Sequence, residues 1–266
     1  MTDYIGIYEA LDSTLRKRCD TPSEFNRLVD SFVRENDGRI VITDDDYHWV
    51  LVKTAFYSGI DADRVTGRRP AIEKYLRGYQ KVAEYGETMV RKMMADEDMF
   101  RKEEKILASI NNAKAVEVVV KQHGSFRSYI DSFGDMSDLS NIAHLRNNLR
   151  KRFKWIGPVT SFHFMMDVGV PVLKPDLVIM REFERLGLIQ LTSDSEANLW
   201  EAVKQGQIIS QATGKPIRQI DVMFVSLGQR GGKNSELKIS RGVCLKEPEC
   251  TACGLAGYCR YFKNHG

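Results

Sequence analysis

Long apolar runs are missing from this 266-residue chain. None approaches the ~20 residues that a membrane-spanning helix needs, and Met1-Thr2-Asp3 opens no signal peptide. Neither a membrane protein nor a secreted one is expected, so the chain is read as cytoplasmic and, by default, monomeric. Cysteine is scarce, five residues in all, and unevenly placed: Cys19 stands alone while Cys244, Cys250, Cys253 and Cys259 crowd the C-terminus. That distribution argues for a reducing compartment and a metal site. Repeats and low-complexity tracts are absent, which leaves out solenoids and biased linkers. Large charge of one sign is absent too. With a net charge of only +3, any polyanion must be met by local basic patches.

What is present suits a large helical protein. The hydrophobic share of 42% is ample for a core, and the length exceeds one usual core, so one large or two interleaved domains are expected. Residues 1–36 read as two helices, with Thr21-Pro22-Ser23-Glu24 as a capping box and Phe25, Leu28, Phe32 and Val33 as an apolar stripe. Ile40-Val41-Ile42 reads as a short extended link. Asp44-Asp45-Asp46 reads as the acidic cap of a helix over Tyr47–Tyr57 rather than a metal site. A basic turn, Gly67-Arg68-Arg69-Pro70, leads into a helix read over 70–85. A long helix follows over 103–120, with Ile106, Ile110, Ala113 and Val116 at helical spacing. Helices are also expected over 140–153, 158–168, 177–186 (ended by Gly187), 193–213 and 216–227, with a basic loop over 228–240.

Two stretches carry chemistry. The first is RKRFKWIGPVTSFHFMMDVGVPVLKPDLVIMREF, from Arg150 to Phe183. It reads as a helix end, a tight turn at Trp155-Ile156-Gly157, a second helix begun by Pro158, and Asp176 opening another helix. The turn should leave the first N–H groups of the second helix pointing outward, where a phosphate oxygen fits. Arg150, Lys151, Arg152 and Lys154 precede it, as a sequence-independent grip on a nucleic-acid backbone requires. The second stretch is the C-x5-C-x2-C-x5-C set, four thiols within sixteen residues. Four thiolates suit an iron–sulfur cluster, or zinc as the alternative.

At these residues the chain resembles the helix-hairpin-helix superfamily of DNA glycosylases. Gly157 matches the second glycine of its G-h-G hairpin, and Trp155 stands where the first glycine often is. Asp176 falls where the superfamily's essential aspartate falls, and Val159 stands where bifunctional members carry the imine-forming lysine. FKWIGPVTSFHFM is especially similar to the 3-methyladenine glycosylase I branch, as are Ile110-Asn111-Asn112-Ala113 and Gly124-Ser125-Phe126. The cysteine set resembles the 4Fe–4S motif of endonuclease III, one residue shorter in the first gap. The likeness covers roughly residues 45–188, with the cysteines matching a different branch.

The resemblance implies an all-α, two-lobed helix-hairpin-helix glycosylase fold with a C-terminal 4Fe–4S cluster loop. One domain, residues 41–174, would be a six-helix barrel; residues 1–40 and 175–266 would gather around the cluster. It implies double-stranded DNA as partner and eversion of one base into a cleft between the lobes. Asp176 would stabilise the developing sugar cation and position water. Thr54 stands where the 3-methyladenine branch has its pocket glutamate. Tyr57 or Ile60 would fill the gap left by the base or else pack in the core, and His163 either reaches the pocket or is a core histidine. Arg150, Lys151, Arg152, Lys154, Trp155, Gly157, Val159 and Lys246 would meet the DNA backbone. The reaction implied is monofunctional excision of a damaged base, an alkylated purine first. Two alternatives stay open: in-place modification of a hypermodified pyrimidine on the same fold, and a non-catalytic DNA-binding iron–sulfur protein.

Overall fold

The apolar periods fold as helices throughout. The computed structural model describes residues 2–41, 43–60, 62–231 and 235–265, and among them there is no strand. In chain order the helices are α1 (Tyr4–Arg18), α2 (Phe25–Glu35), α3 (Asp44–Tyr57), α4 (Ala62–Thr66), α5 (Arg69–Leu76), α6 (Tyr79–Ala83), α7 (Glu87–Ala95) and α8 (Glu103–His123). They continue with α9 (Phe126–Asp131), α10 (Leu139–Arg152), α11 (Pro158–Asp167), α12 (Leu177–Leu186), α13 (Ser195–Thr213), α14 (Ile217–Gly228) and α15 (Arg260–His265). Among the described residues no helix is long and apolar enough to cross a membrane. The chain forms two compact units, Met1–Asp37 with Pro171–Gly266, and Gly38–Val170.

In the Gly38–Val170 unit, α8 is the spine. Ile106, Ile110, Ala113 and Val116 lie on its buried face, as their spacing predicts, and α8 packs on α3 and α6. Helix α3 is apolar nearly all round (Trp49, Val50, Leu51, Val52, Ala55, Phe56) and is buried accordingly. Tyr47 of α3 stacks on Phe126 of α9 at 4.7 Å, and Phe126 meets Phe153 at 5.7 Å and Phe164 at 5.9 Å. That aromatic cluster seats the turn between α10 and α11 on the core. In the other unit α1 packs on α13 and α14, and Phe183 of α12 meets Phe224 of α14 edge to face at 5.0 Å.

Asp44, Asp45 and Asp46 are each taken by protein donors. Asp46 completes a capping box with Thr43, so α3 starts at Asp44 rather than Tyr47. Asp45 Oδ1 accepts the N–H groups of Gly78 and Tyr79 at 2.7 and 2.8 Å, capping α6, and its Oδ2 pairs with Arg77 at 2.8 Å. Asp44 accepts the Phe126 N–H at 2.7 Å. The triplet is a clasp tying α3 to α6 and α9.

That clasp explains one departure from the sequence reading. The helix expected over 70–85 is two helices, broken at Gly78, whose φ of 88° lies in the left-handed region. Two further readings are corrected. Thr21 makes no capping bond, and Pro22–Glu24 is a 3-10 turn, because the Glu24 carboxylate goes to Arg27 and Lys238. Gly38–Ile40 is also a 3-10 turn rather than an extended link; Ile42 lies outside the described residues. Helices α4, α7, α9 and α15 were not foreseen. The loop expected over 228–240 is irregular beyond α14 where described, residues 232–234 lying outside the description.

Candidate nucleic-acid interface and active site

Helix α10 ends in Arg150-Lys151-Arg152, and the chain turns at Trp155 into α11. Trp155 holds φ at 62°, a conformation that glycine adopts freely and that a residue with a β-carbon adopts at a steric cost. Three side chains hold the turn. Asn112 of α8 accepts the Lys154 N–H at 2.7 Å and donates to the Lys154 carbonyl at 3.0 Å. Thr160 Oγ1 accepts the Gly157 N–H at 2.7 Å and donates to the Trp155 carbonyl at 2.8 Å. Arg146, buried on α10, donates to the Pro158 carbonyl at 2.7 Å and to the Ser161 hydroxyl at 2.9 Å. The Gly157 N–H is therefore spent inside the hairpin. The open donors are those of Val159 and Thr160, which have no carbonyl four residues back within the helix.

The basic residues divide by exposure. Lys151 and Lys154 are exposed, and Arg150 is half-buried. Arg152 lies over the Tyr129 ring at 5.6 Å and reaches Gln122 at 3.4 Å, so it is partly engaged already.

The residues expected at the base pocket are placed unequally. Thr54 is fully buried on α3, and its hydroxyl has no hydrogen-bond partner. Tyr57 ends α3 with its hydroxyl 3.0 Å from Thr66 Oγ1. Ile60, half-buried, follows Gly59 at φ 69°. His163 is half-buried on α11, with Nε2 3.4 Å from Asp167 Oδ2. Beside these, and unforeseen, lies Lys105 of α8. It is 2% exposed and donates to the carbonyls of Ala55, Phe56 and Ser58 at 2.8, 3.2 and 2.7 Å. Burial pushes its ammonium below the usual lysine value, yet three carbonyl acceptors require all three N–H donors.

Asp176 is the N-cap of α12. Its Oδ1 accepts the N–H groups of Val178 and Ile179 at 2.9 and 3.2 Å, and its Oδ2 lies 3.4 Å from Lys174 Nζ. The carboxylate is about a quarter exposed, so it is oriented by the helix and still open to a ligand. Its segment is fixed from behind by Asp221 of α14, which accepts the Lys174 N–H at 3.0 Å with Arg218 at 4.0 Å.

Burial pushes the Asp221 carboxyl up to about 6 from 3.8, against the opposing pull of Arg218 and the Lys174 N–H. A carboxyl raised by folding adds no cost below its unfolded pKa. The cost of ionising it grows as pH rises through about 6. Asp221→Asn keeps an acceptor for the Lys174 N–H and removes the charge. It should melt higher than the wild type at about pH 8, by no more than about 3 kcal/mol of stability, with the gain shrinking toward about pH 4. Thermal unfolding across pH measures this, and equal melting temperatures at the alkaline end would refute it.

The four clustered cysteines line one cavity together with Arg185, Val243, Pro248, Ala256, Tyr261 and Phe262. Cys250 and Cys253 bracket a 3-10 turn, and Cys259 directly precedes α15. Arg185 donates to Cys244 Sγ at 3.4 Å and to the carbonyls of Leu245 and Lys246 at 2.6 and 3.0 Å, while lying over the Tyr261 ring at 4.7 Å. Lys246 itself is exposed. Burial pushes the thiols of Cys244 and Cys253 up to about 12 and about 11. Among the described residues no group of three or more His, Cys, Asp or Glu is arranged to hold a single metal ion. Four sulfur donors and a guanidinium that offsets thiolate charge thus line one mostly apolar cavity.

Comparison with known proteins agrees with this architecture. The 8-oxoguanine DNA glycosylase of Thermotoga maritima is similar at TM-score 0.55 and 18% identity, over 83% of this chain and 96% of that one. The 8-oxoguanine DNA glycosylase of Methanocaldococcus jannaschii is similar at TM-score 0.56 and 14% identity, over 83% and 94%. A structure of the M. jannaschii 8-oxoguanine glycosylase/lyase in complex with DNA containing 8-oxoguanine is similar at TM-score 0.51 and 16% identity, over 79% and 94%. At such identities the likeness is one of fold. A family model described as methyladenine glycosylase matches residues 26–172, which include the whole hairpin. Since that match spans more than half of the chain, the protein belongs to the methyladenine glycosylase family of DNA N-glycosylases.

Proposed function

We propose that this protein is a monofunctional DNA glycosylase that releases a damaged base, an alkylated purine first, from double-stranded DNA. The observation that carries the reading is the family match across the helix-hairpin-helix, residues 26–172. Asp176 is the catalytic carboxylate. The N–H groups of Val178 and Ile179 orient one oxygen, and the other faces the developing sugar cation and the attacking water. Hydrolysis without strand cleavage is the reading that the absence of a lysine at Val159 supports. Lys105 is spent on three carbonyls and Lys174 pairs with Asp176, which leaves Lys174 and the exposed Lys154 as the residues that would contradict it.

Cys244, Cys250, Cys253 and Cys259 would hold a 4Fe–4S cluster. Their sharing of one cavity, in a spacing one residue from the 4Fe–4S motif it resembles, supports the cluster, with zinc as the alternative. Bound there, the cluster supplies bracing for the segment that presents Lys246.

A panel of duplexes carrying single lesions, scored for free base and for heat- or alkali-revealed abasic sites, tests the function. Neither free base nor abasic sites on any lesion would point to the in-place modifying or non-catalytic alternatives. Backbone contact has its own expectation. Lys151→Ala should weaken binding to all duplexes alike and reduce the slope of log affinity against log salt by about 1, whereas Arg152→Ala should do less because Arg152 is partly engaged. A change in which lesion is preferred would show that these residues read bases.

A further inference from the structure

We propose that the exposed face of Trp155 is a stacking platform for a nucleobase that has left the duplex stack, backed by the buried ammonium of Lys105. This rests on the DNA-interface reading of the hairpin and goes beyond it. A phosphate contact at this turn needs backbone N–H groups and no side chain, and glycine would meet the left-handed φ of 62° without steric cost. A large aromatic side chain held there is therefore not explained by a backbone grip. Strained residues persist where their surroundings over-determine them, and such positions cluster at ligand-contacting sites.

The surroundings here do over-determine the ring. Asn112 clamps the preceding residue through both its N–H and its carbonyl, and Thr160 holds the Trp155 carbonyl. Lys105 Nζ lies 4.6 Å from the ring centroid on one side and is itself pinned by three carbonyls. Trp155 is nevertheless 37% exposed, whereas Trp49 is 6% exposed and sits in the core. A cation fixed against one face draws on the negative charge of the ring. The opposite face then suits an electron-rich, planar partner, and purine and pyrimidine rings are such partners. Arg150, Lys151, Arg152 and Lys154 immediately before the turn make a nucleic-acid strand the occupant that the charge favours.

The test compares two hairpin-closed duplexes of the same sequence, one fully paired and one with a single bulged adenine. Bulged DNA should quench tryptophan emission, and the quench should vanish in Trp155→Phe. Trp155→Ala should weaken binding to bulged DNA by roughly 10- to 100-fold, as loss of one base stack does, while its affinity for paired DNA changes by less than about threefold. Trp155→Phe should retain most of the affinity. Trp155→Gly serves as the folding control, since glycine accepts this φ; it should stay helical and melt cooperatively yet behave like Trp155→Ala. Salt-dependent binding of both DNAs with no quench and no bulge-specific loss would overturn the stacking role alone. Absence of salt-dependent binding by the wild type would overturn the DNA-interface reading, and the platform with it.

Discussion

Asp176→Asn should lower the single-turnover rate of base release by at least about 10²–10³-fold while the protein stays folded and bound to DNA. The argument begins with what the substitution keeps. Asparagine retains an Oδ1 that can accept from Val178 and Ile179, so α12 stays capped. What it removes is the charged Oδ2, 3.4 Å from Lys174 Nζ. As the glycosidic bond breaks, positive charge builds on the sugar, and an oriented carboxylate lowers the barrier because its charge needs no reorganisation at that moment. The Asn variant leaves the Lys174 ammonium uncompensated, which adds a like charge near the developing cation. Lys174→Ala combined with Asp176→Asn should therefore recover a little rate, though far from all of it. Binding should hold or tighten, since a carboxylate repels phosphates. Base release at the wild-type rate would remove Asp176 from the mechanism. Strand cleavage by the wild type, trapped by borohydride, would instead assign an amine role to Lys174 or Lys154.

How much of this was legible in the sequence depends on the range of the contact involved. The face of α8, the Gly187 stop of α12 at φ 76° and the Asp176 cap are local matters of spacing and propensity, and each is readable from neighbouring residues. The break at Gly78 is different. It depends on Asp45, more than thirty residues earlier, supplying acceptors for two N–H groups, and no local pattern announces that. Likewise the hairpin motif is visible as a string, but its support by Asn112, Arg146 and Thr160 is a matter of tertiary packing. Lys105 reads as one more helix lysine among Lys102, Glu103 and Glu104, yet it is buried against the end of α3. The one hint of the hairpin's character was Trp155 itself, an aromatic where a backbone-only contact would have settled for glycine. For the cysteines, spacing reveals a donor set, whereas which group such a set suits depends on the separation of the sulfurs in space.

If the proposed cluster is bound, Cys250→Ser or Cys253→Ser should abolish its iron content and loosen the C-terminal segment, leaving the Gly38–Val170 unit folded. The wild-type protein, purified without oxygen, is expected to be brown and to contain about four irons per chain. Among the described residues between α14 and α15 the regular structure is two 3-10 turns, Cys250–Ala252 and Gly254–Gly257, and the buried apolar residues are Leu237, Ile239, Val243, Leu245 and Leu255. The segment is tied to α1 by the Gly254 N–H on Thr14 Oγ1 at 2.9 Å and by the Arg18–Glu249 ion pair, both partly exposed. Arg185 of α12 holds its carbonyls at Cys244, Leu245 and Lys246. Partly exposed pairs of this kind contribute about 1 kcal/mol or less each, well below the binding free energy of a thiolate-held metal centre. Loss of one thiolate should thus loosen the segment around the cysteines more than loss of any one of these ties, and proteolysis should then cut between residues 241 and 259 before the rest of the chain. Serine in place of cysteine changes little in size, so the effect isolates ligation from packing. A wild-type protein that is colourless and carries one zinc would replace the cluster with the zinc alternative. A Cys250→Ser variant with full iron and unchanged protease resistance would show that this cysteine is not a ligand.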